Sequence, residues 1–324
     1  MDLSCRFMGL ALPNPIVVSS SNLTADMKRV RDAANAGAGA LVLKSLFEED
    51  IAAGVESSRK ASDDIHPEAA AYIEQMGMML DADAYLDFVE KASGELDIPV
   101  IASLNCYSED WWVDYAERIE KVGARAIELN LSPLALDVKT DSRDVENKLV
   151  GMVKLARKAV KLPLAVKLGQ HFSALPNLAV RLEDAGANAL TLFNRFYKLD
   201  IDIENLTFKA GKSLSTREEF GPVLRWVGIL SDLTELDIAA STGIYDASDI
   251  IKVLLAGGDV AQLCSVLLRE GLDVITNALE EIKDWMGRHG FDTIDAFRSR
   301  LSLEDDQRSA HYHRLQYVKA FRKD

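Results

Sequence analysis

Four times along this chain, a glycine-containing turn follows a helical pattern and leads into a short apolar segment of strand length. The glycines in these turns are Gly37, Gly123, Gly186 and Gly257. Glycine ends helices readily, because it adopts the left-handed backbone conformation at low cost. The apolar segments that alternate with these four span residues 15–20, 99–105, 163–169 and 236–241. Eight strands that alternate with helices predict an α/β fold, the (β/α)8 or TIM barrel.

Several segments lie outside this repeating pattern. Residues 2–14 predict a short N-terminal hairpin before the first barrel strand. Long loops follow the second strand, at 46–80, and the sixth, at 195–216; loops of this length are usually functional or disordered. Beyond residue 290 the chain is polar, and helices are predicted over Thr293–Leu301 and about 305–321.

The predicted organisation is therefore a barrel domain, 1–290, followed by a C-terminal helical extension, 291–324. Two positions remain open for the extension, which either packs under the barrel or forms a contact between subunits. The sequence does not decide between them.

Composition argues against several classes of protein. The 48% of apolar residues suffices for one large core, and the net charge of −14 opposes binding to nucleic acid or to an anionic membrane. The three cysteines are widely spaced, and no Cys or His pair has the spacing of a metal site. No segment has the pattern of a signal peptide or a membrane span. We expect a cytoplasmic, metal-free protein that acts on a small molecule.

Hydrogen-bonding side chains follow every predicted strand, at the end where barrels place their active sites. Two of them are lysines, Lys44 after the second strand and Lys167 at the end of the fifth. Because a half-buried ammonium is costly without a negative partner, we expect an anion there. The candidates are a substrate carboxylate, a phosphate or the N1–O2 edge of a reduced flavin. The alternative is an acidic side chain such as Glu128, which could pair with one lysine.

The ends of the last two strands have the composition of a phosphate site. Thr242 and Gly243 follow the seventh strand, and Cys264 and Ser265 follow the eighth. Backbone amides and hydroxyls in such turns bind phosphate in many barrels. A Ser/Thr-Gly turn is common, so this signal is weak by itself.

In this order, these residues resemble the dihydroorotate dehydrogenase family, whose soluble members are flavin-dependent barrels. The resemblance extends to about residue 300. Its motifs are Met8-Gly9-Leu10, Asn14-Pro15, Lys44-Ser45, Glu128-Leu129-Asn130-Leu131-Ser132, Val166-Lys167-Leu168, Phe193-Asn194, Thr242-Gly243-Ile244 and Cys264-Ser265. Each motif is short, and their order along the strands supports membership of the family.

The resemblance implies FMN as the cofactor, with hydride transfer from the substrate to its N5 atom. It places Lys167 at the N1–O2 edge, where a cation stabilises the reduced flavin. The residues implied for FMN binding are Ser19, Ser20, Lys44, Ser45, Ser103, Asn130, Lys167, Phe193, Thr242, Gly243, Cys264 and Ser265. Those implied for binding dihydroorotate or a related CH–CH substrate are Lys44, Met76, Gly77, Asn130 and Asn194. The candidate catalytic residues are Lys44 and Ser132.

Three positions depart from the family pattern, and all three concern the substrate. The family has a cysteine or serine base where this chain has Pro133, and an asparagine where it has Ala135. Ser132 adjoins the missing base, but strand periodicity turns it to the other face and its hydroxyl is a weak base. Glu74 stands at a family asparagine, where its carboxylate would repel a carboxylate substrate. The residues that the resemblance implies for flavin binding are kept, and several of those that it implies for the substrate are altered.

Two alternatives stay open at this point. One is a diverged flavoprotein without dihydroorotate activity that acts with a partner redox enzyme. The other is a flavin-free aldolase that forms a Schiff base on Lys44 or Lys167. The family also implies a homodimer, and the electron acceptor leaves no mark in the sequence.

Overall fold

The structure is a computed structural model that describes residues 1–48, 82–105, 109–131, 133, 135, 137–195, 198–210, 214–302 and 310–322. In these residues, eight parallel strands close into a barrel surrounded by helices, which confirms the predicted fold. The strands in chain order are β1 (Cys5–Phe7), β2 (Leu10–Leu12), β3 (Ile16–Val18), β4 (Ala40–Val42), β5 (Leu46–Phe47), β6 (Val100–Asn105), β7 (Ala126–Leu131), β8 (Leu164–Leu168), β9 (Ala189–Leu192), β10 (Leu199–Asp202), β11 (Thr207–Ala210), β12 (Asp237–Ser241) and β13 (Val260–Leu263).

Most of the helices cover the outside of the barrel with their apolar faces inward. In chain order they are α1 (Met27–Asn35), α2 (Ala82–Glu95), α3 (Glu109–Lys121), α4 (Ser142–Ala159), α5 (Leu175–Asp184), α6 (Phe220–Leu230), α7 (Ala247–Leu255), α8 (Ser265–Glu270), α9 (Asp273–His289) and α10 (Ala310–Phe321). The last barrel strand is followed by two helices, α8 and α9.

The barrel closes because β4 pairs in parallel with both β3 and β6. Around the ring, the order is β4, β3, β13, β12, β9, β8, β7 and β6, and the short β5 pairs with the end of β6. The four turn glycines have φ values between 90° and 100°, as their positions at helix ends predicted. The regular strand–helix repeat therefore brings eight carboxyl strand ends to one face.

At the amino ends of the strands, the barrel interior is apolar and closed. The predicted N-terminal hairpin is confirmed by the antiparallel pair β1–β2. Its Phe7 is fully buried and Leu12 nearly so, and both pack inside the ring of strands. They fit there because small side chains line this part of the interior: Ala126, Ala165, Ala189 and Ala239. Burial of each large apolar side chain contributes about 1.5–3 kcal/mol.

Two residues further along the strands, the interior becomes polar. Side chains in a strand alternate between faces, so the residues that follow the alanines at this spacing also point inward. They are Glu128, Lys167, Thr191 and Ser241, and all four are buried. A step of two residues along the strands therefore separates the apolar interior at the amino ends from the polar layer of Glu128, Lys167, Thr191 and Ser241. This polar layer lies beneath the active-site end of the barrel.

The long segment after β9 contains a structure that the sequence analysis did not predict. Strands β10 and β11 form an antiparallel hairpin that pairs with no other strand of the described chain. The alternation of Leu199, Ile201 and Ile203 with acidic residues is the sequence signal for it.

The prediction of a helix over Thr293–Leu301 was wrong. These residues form mainly turns. The side chains of Ile294 and Phe297 are buried, and the backbone N–H of Ser299 donates at 2.9 Å to the carbonyl of Leu254 in α7 instead of to a carbonyl within the segment. This part of the extension thus packs on the barrel. Helix α10 lies within the second predicted tail helix. The domain boundary at residue 290 stays a prediction.

Candidate active site

Two small cavities adjoin at the carboxyl ends of the barrel strands. The first cavity, of about 160 Å³, lies beside the ends of β12 and β13, and the second, of about 180 Å³, lies beside Lys44. Both are lined by Ser20, Lys167 and Asn194. Together they reach the lower end of the range for small-molecule sites, about 300–1,000 Å³.

Most of the predicted site residues come together around these two cavities. The predicted residues that line the first cavity are Ser19, Ser20, Lys167, Phe193, Asn194, Thr242, Gly243, Cys264 and Ser265. Those that line the second are Ser20, Lys44, Ser45, Asn130, Lys167 and Asn194.

Four residues singled out in the sequence are not seen at either cavity. Ser103 is fully buried behind Ser45, and their hydroxyls share a hydrogen bond of 2.7 Å. Met76, Gly77 and Ser132 lie outside the described residues, as does Glu74. Their predicted roles stay predictions.

Lys167 and Glu128 form a buried ion pair beneath the cavities. The lysine Nζ lies 3.4 Å from Glu128 Oε1, and the two side chains are 7% and 1% exposed. The other carboxylate oxygen accepts hydrogen bonds from Thr191 Oγ1 at 2.9 Å and Gln262 Nε2 at 2.7 Å. The acidic partner that the sequence left open is therefore present for Lys167.

The ion pair with Glu128 leaves the Lys167 ammonium able to donate hydrogen bonds to other groups. Glu128 Oε1 receives no hydrogen bond, so its contact with Lys167 is electrostatic, and Nζ donates to Ser19 Oγ at 3.1 Å. Ser19 Oγ in turn donates to Gln262 Oε1 at 3.2 Å. Lys167 lines both cavities, so a ligand there can accept from its remaining N–H groups. The network fixes a cation beneath the cavities.

Lys44 differs from Lys167 in having no carboxylate within 4 Å among the described residues. It is half-buried, and its backbone N–H donates to the carbonyl of Thr24 at 3.1 Å, which holds the residue at the end of β4. An ammonium in this position favours an anionic ligand.

The turn after β12 is held tightly against α6. Gly243 has a φ of 80°, and a Cβ added there would lie 2.5 Å from the backbone nitrogen of Phe220. Thr242 also has a positive φ of 82°, which is rare for a β-branched residue and costs about 1–3 kcal/mol. Its hydroxyl donates to the Phe193 carbonyl at 3.0 Å. The turn thus presents its backbone to the first cavity without side-chain bulk at Gly243.

Hydroxyl groups complete this side of the first cavity. Buried Ser215 accepts a hydrogen bond from the Gly243 N–H at 3.3 Å, and its own N–H donates to Ser265 Oγ at 2.9 Å. Burial raises the pKa of the neighbouring Cys264 thiol, so it lies there as a neutral group. Neutral hydroxyls and amides of this kind suit a phosphate.

Asparagines join the two cavities. Asn194 Nδ2 donates to Asn130 Oδ1 at 2.9 Å, and this contact bridges the ends of β9 and β7. Such amide groups can both donate to and accept from a planar ligand with mixed polar groups.

A much larger cavity, which we call the large cavity, adjoins the first. It encloses about 670 Å³ over the ends of β7, β8 and β9, and its lining includes Asn194 and Arg195, which also line the first cavity. Pro133 and Ala135, the two described departures from the family pattern, lie on its wall.

Sequence reasoning missed several residues of the site. Gln262 and Thr191 could have been found, because each lies two residues from a predicted inward position on its strand. Ser215 could not, since it comes from a loop about 28 residues before Gly243 in the chain and nothing in its neighbours marks it. Arg195, which follows Asn194 after β9, was given no role.

The sequence profile of the dihydroorotate dehydrogenase family matches residues 2–286. The chain belongs to this family. Curated relatives agree over most of its length. The "Dihydroorotate dehydrogenase B (NAD(+)), catalytic subunit" of Pyrococcus furiosus is 27% identical over 308 residues, which is 91% of this chain and 97% of the relative. The protein of the same name from Thermoplasma acidophilum is 26% identical over 90% of this chain and 96% of its own.

A further relative carries a different acceptor in its name. The "Dihydroorotate dehydrogenase A (fumarate)" of Lactobacillus delbrueckii is 26% identical over 65% of this chain and 66% of its own length. Membership of the family makes the chain a dihydroorotate dehydrogenase-like oxidoreductase that acts on CH–CH groups. The comparisons give no support to the Schiff-base aldolase or to the flavoprotein that acts only through a partner.

The described residues also bear on two other classes of site. No group of three or more His, Cys, Asp or Glu side chains there could hold a metal ion. No helix in the same residues has the length and hydropathy needed to cross a bilayer.

Proposed function

We propose that this chain binds FMN across the first and second cavities and uses it to oxidise dihydroorotate or a related CH–CH substrate. The observation that supports this most strongly is the position of Lys167, a buried cation that lines both cavities and is fixed by Glu128 and Ser19. A flavin placed here would have its phosphate at one end and its ring at the other.

The residues present fit the cofactor. The Gly243 turn, with no room for a Cβ, and the hydroxyls of Thr242 and Ser265 would hold the phosphate. Ser19, Ser20 and Ser45 would contact the ring, and Ser103 would support Ser45 from behind. The carboxylate of Glu128 under Lys167 is compatible with this, because the ion pair holds the lysine in place.

When bound, FMN supplies a hydride acceptor, the N5 atom of its ring. Lys167 would stabilise the negative charge that reduction leaves at the N1–O2 edge. Asn130 and Asn194 would orient the substrate through their amides, and Lys44 would bind its anionic group. Met76 and Gly77 belong to this proposal on the resemblance alone.

Removal of the substrate proton is the step in which this chain departs from its family. Pro133 has no protonatable group, so the base has to come from elsewhere, and Ser132 is the candidate on the family motif. A serine needs a neighbouring base to act in this way. We therefore expect slow turnover of dihydroorotate relative to family members that keep the cysteine or serine.

Anaerobic mixing with dihydroorotate tests the proposed reaction. FMN-loaded protein should lose its oxidised-flavin absorbance as the substrate is oxidised, and orotate should be released in an equal amount. Persistent flavin absorbance with dihydroorotate, together with bleaching by dithionite, would exclude dihydroorotate while leaving the cofactor proposal intact.

The family resemblance also leads us to propose a homodimer, and the hairpin β10–β11 is a surface suited to it. Ile201 and Phe208 are paired across the hairpin on one face, and they are 53% and 75% exposed. Ile203 and Leu206 at its turn are 75% and 86% exposed. A two-stranded hairpin is marginally stable alone, and a second copy would cover the same face by two-fold symmetry.

Sedimentation velocity tests the dimer. Wild-type protein should sediment as a dimer, and a variant with both Ile201→Lys and Phe208→Lys should sediment as a monomer. Val138→Lys, a charge at another fully exposed apolar position, is the matched control and should leave the dimer intact. A monomeric wild type would refute this part of the proposal.

A further inference from the structure

His171 is an ionisable residue that the proposed reaction leaves without a role. It comes three residues after the end of β8, and its exposed side chain lines the large cavity. The large cavity shares Asn194 with both of the cavities assigned to the flavin. A group on its wall therefore borders the place where the substrate is proposed to bind.

The pairing of β7 with β8 brings His171 beside the position of the missing base. The two strands are parallel neighbours, and Leu131 opposite Leu168 is their last pair. Beyond this pair, Pro133 comes two residues further along one segment and His171 three residues further along the other. Both residues line the large cavity. The histidine thus follows the strand next to the one after which the resemblance places the base of the family.

Most of the other ionisable side chains that line the large cavity are engaged in ion pairs. Arg195 Nε and Lys198 Nζ lie 3.2 and 3.0 Å from the same oxygen of Glu219. Glu146 forms an ion pair with Arg181 at 3.0 Å. A carboxylate that is held by a cation is a poor acceptor for a substrate proton, because protonation would break the pair.

The two ionisable side chains that remain in the lining are Asp141 and His171. Asp141 caps α4, where its carboxylate accepts from the Asp144 N–H at 2.9 Å. The helix N-terminus favours the anionic form of this carboxylate, which makes it a weaker base. His171 has no hydrogen bond or ion pair in the part of the chain that the structure describes, so its ring nitrogens are free to contact a ligand. Imidazole is also the side-chain group that exchanges a proton most readily near neutral pH.

We propose that His171 is the general base of the reaction, in place of the residue that is lost at Pro133. Its imidazole would remove the proton from C5 of dihydroorotate or of the corresponding carbon of a related substrate. The electron pair of the broken C5–H bond would form the C5=C6 double bond, while C6 gives its hydride to N5 of bound FMN. The imidazolium, exposed at the cavity wall, would then release the proton to water. This inference rests on the proposed function, because it assigns a residue to that same reaction.

Anaerobic stopped-flow mixing of the FMN-loaded protein with dihydroorotate tests the assignment. His171→Gln should slow flavin reduction by about a hundredfold or more and leave the FMN content unchanged. His289→Gln, at another exposed histidine, is the matched control and should react as the wild type does. The wild-type rate should rise from about pH 5 to about pH 8, and the residual rate of His171→Gln should lack that rise.

Chemical modification tests the position of His171 independently of turnover. Diethyl pyrocarbonate modifies accessible histidines, and mass spectrometry locates the modified residues. Saturating orotate should protect His171 from modification and leave the modification of His289 unchanged. Orotate should still bind to His171→Gln, as followed by perturbation of the flavin spectrum, because the histidine acts on the proton and not on the affinity.

Three results would overturn the inference. They are flavin reduction at the wild-type rate in His171→Gln, modification of His171 at the same rate with and without bound orotate, and a larger loss of rate in Ser132→Ala than in His171→Gln. The last result would assign the base to the serine of the family motif. A wild-type flavin that dihydroorotate does not reduce would instead refute the proposed reaction, and this inference with it.

Discussion

The first cavity and the large cavity meet at Asn194 and Arg195, yet they differ in how far they keep the pattern of their family. The first is lined by motif residues at the carboxyl ends of β8, β12 and β13, including Lys167 and Gly243. The large cavity is bounded where the motif is lost, at Pro133 and Ala135. Under the proposed function, cofactor binding and substrate choice would reside on different strand ends of one barrel. The barrel could therefore retain one and change the other.

The largest effect is expected at the turn of the first cavity. In Gly243→Ala the new Cβ would lie 2.5 Å from the Phe220 nitrogen, on a backbone with positive φ. The turn has to move, so FMN affinity should fall at least a hundredfold, as measured by fluorescence titration. Gly151→Ala, in α4 with no atom within 4 Å of the new Cβ, is the control. Unchanged FMN affinity in Gly243→Ala would show that this turn does not bind the phosphate.

Lys167 should show both a structural and a cofactor role, and two variants separate them. Lys167→Met leaves the Glu128 carboxylate buried without its cation, which should lower the free energy of unfolding by about 3–5 kcal/mol in urea titration. It should also lower the reduction potential of bound flavin, because the reduced form loses a cation.

Addition of Glu128→Gln to Lys167→Met removes the unpaired charge and should recover most of the stability. The flavin potential should stay low in the double variant, since the cation is still missing. Recovery of both properties together would mean that Lys167 acts only through the fold.

The substrate side is tested by restoring the family pattern. Pro133→Cys with Ala135→Asn and Glu74→Asn returns the base and the polar groups that the resemblance assigns to dihydroorotate. Orotate should then bind about tenfold more tightly, as followed by perturbation of the flavin spectrum. If orotate affinity stays at the wild-type value, these three positions do not set the substrate.

The smallest effect on the cofactor is expected at the amino end of the barrel, which serves as a reference for both cavities. Burial and the neighbouring Asp237 carboxylate raise the pKa of Asp259 from 3.8 to about 7. The folded protein therefore holds a proton that the unfolded chain releases, and this group lowers stability as pH rises from about 4 to about 7.

Urea unfolding at about pH 5 and about pH 8 measures this contribution. The stability of Asp259→Asn relative to wild type should rise with pH, whereas Asp295→Asn, at an exposed partner of the same Arg298, should track the wild type. FMN content should be the same in all three. Parallel pH profiles for Asp259→Asn and wild type would refute the raised pKa.

Sequence periodicity predicted the barrel and the ring of inward-facing residues at its strand ends. The positions of Gly37 and Gly257 marked helix ends, and alternation from Ala126 to Glu128 to Asn130 places three successive inward residues. The ion pair of Glu128 with Lys167 was one of two alternatives, because strand periodicity fixes a face but not the register between neighbouring strands.

Other features depend on contacts between distant segments. Ser215 reaches Gly243 from a separate loop, and the turns at Thr293–Leu301 form because Phe297 enters the core. Local pattern carries no information about either contact. The large cavity also depends on the relative position of three loops, so its lining could not be derived from the sequence around any one of them.

The most direct test of the central claim is the cofactor content of the purified protein after incubation with excess FMN and removal of free cofactor. The account predicts about one FMN per chain, an oxidised-flavin absorbance spectrum, and loss of both in Gly243→Ala but not in Gly151→Ala. A colourless wild-type protein, or equal flavin content in the wild type and Gly243→Ala, would contradict it.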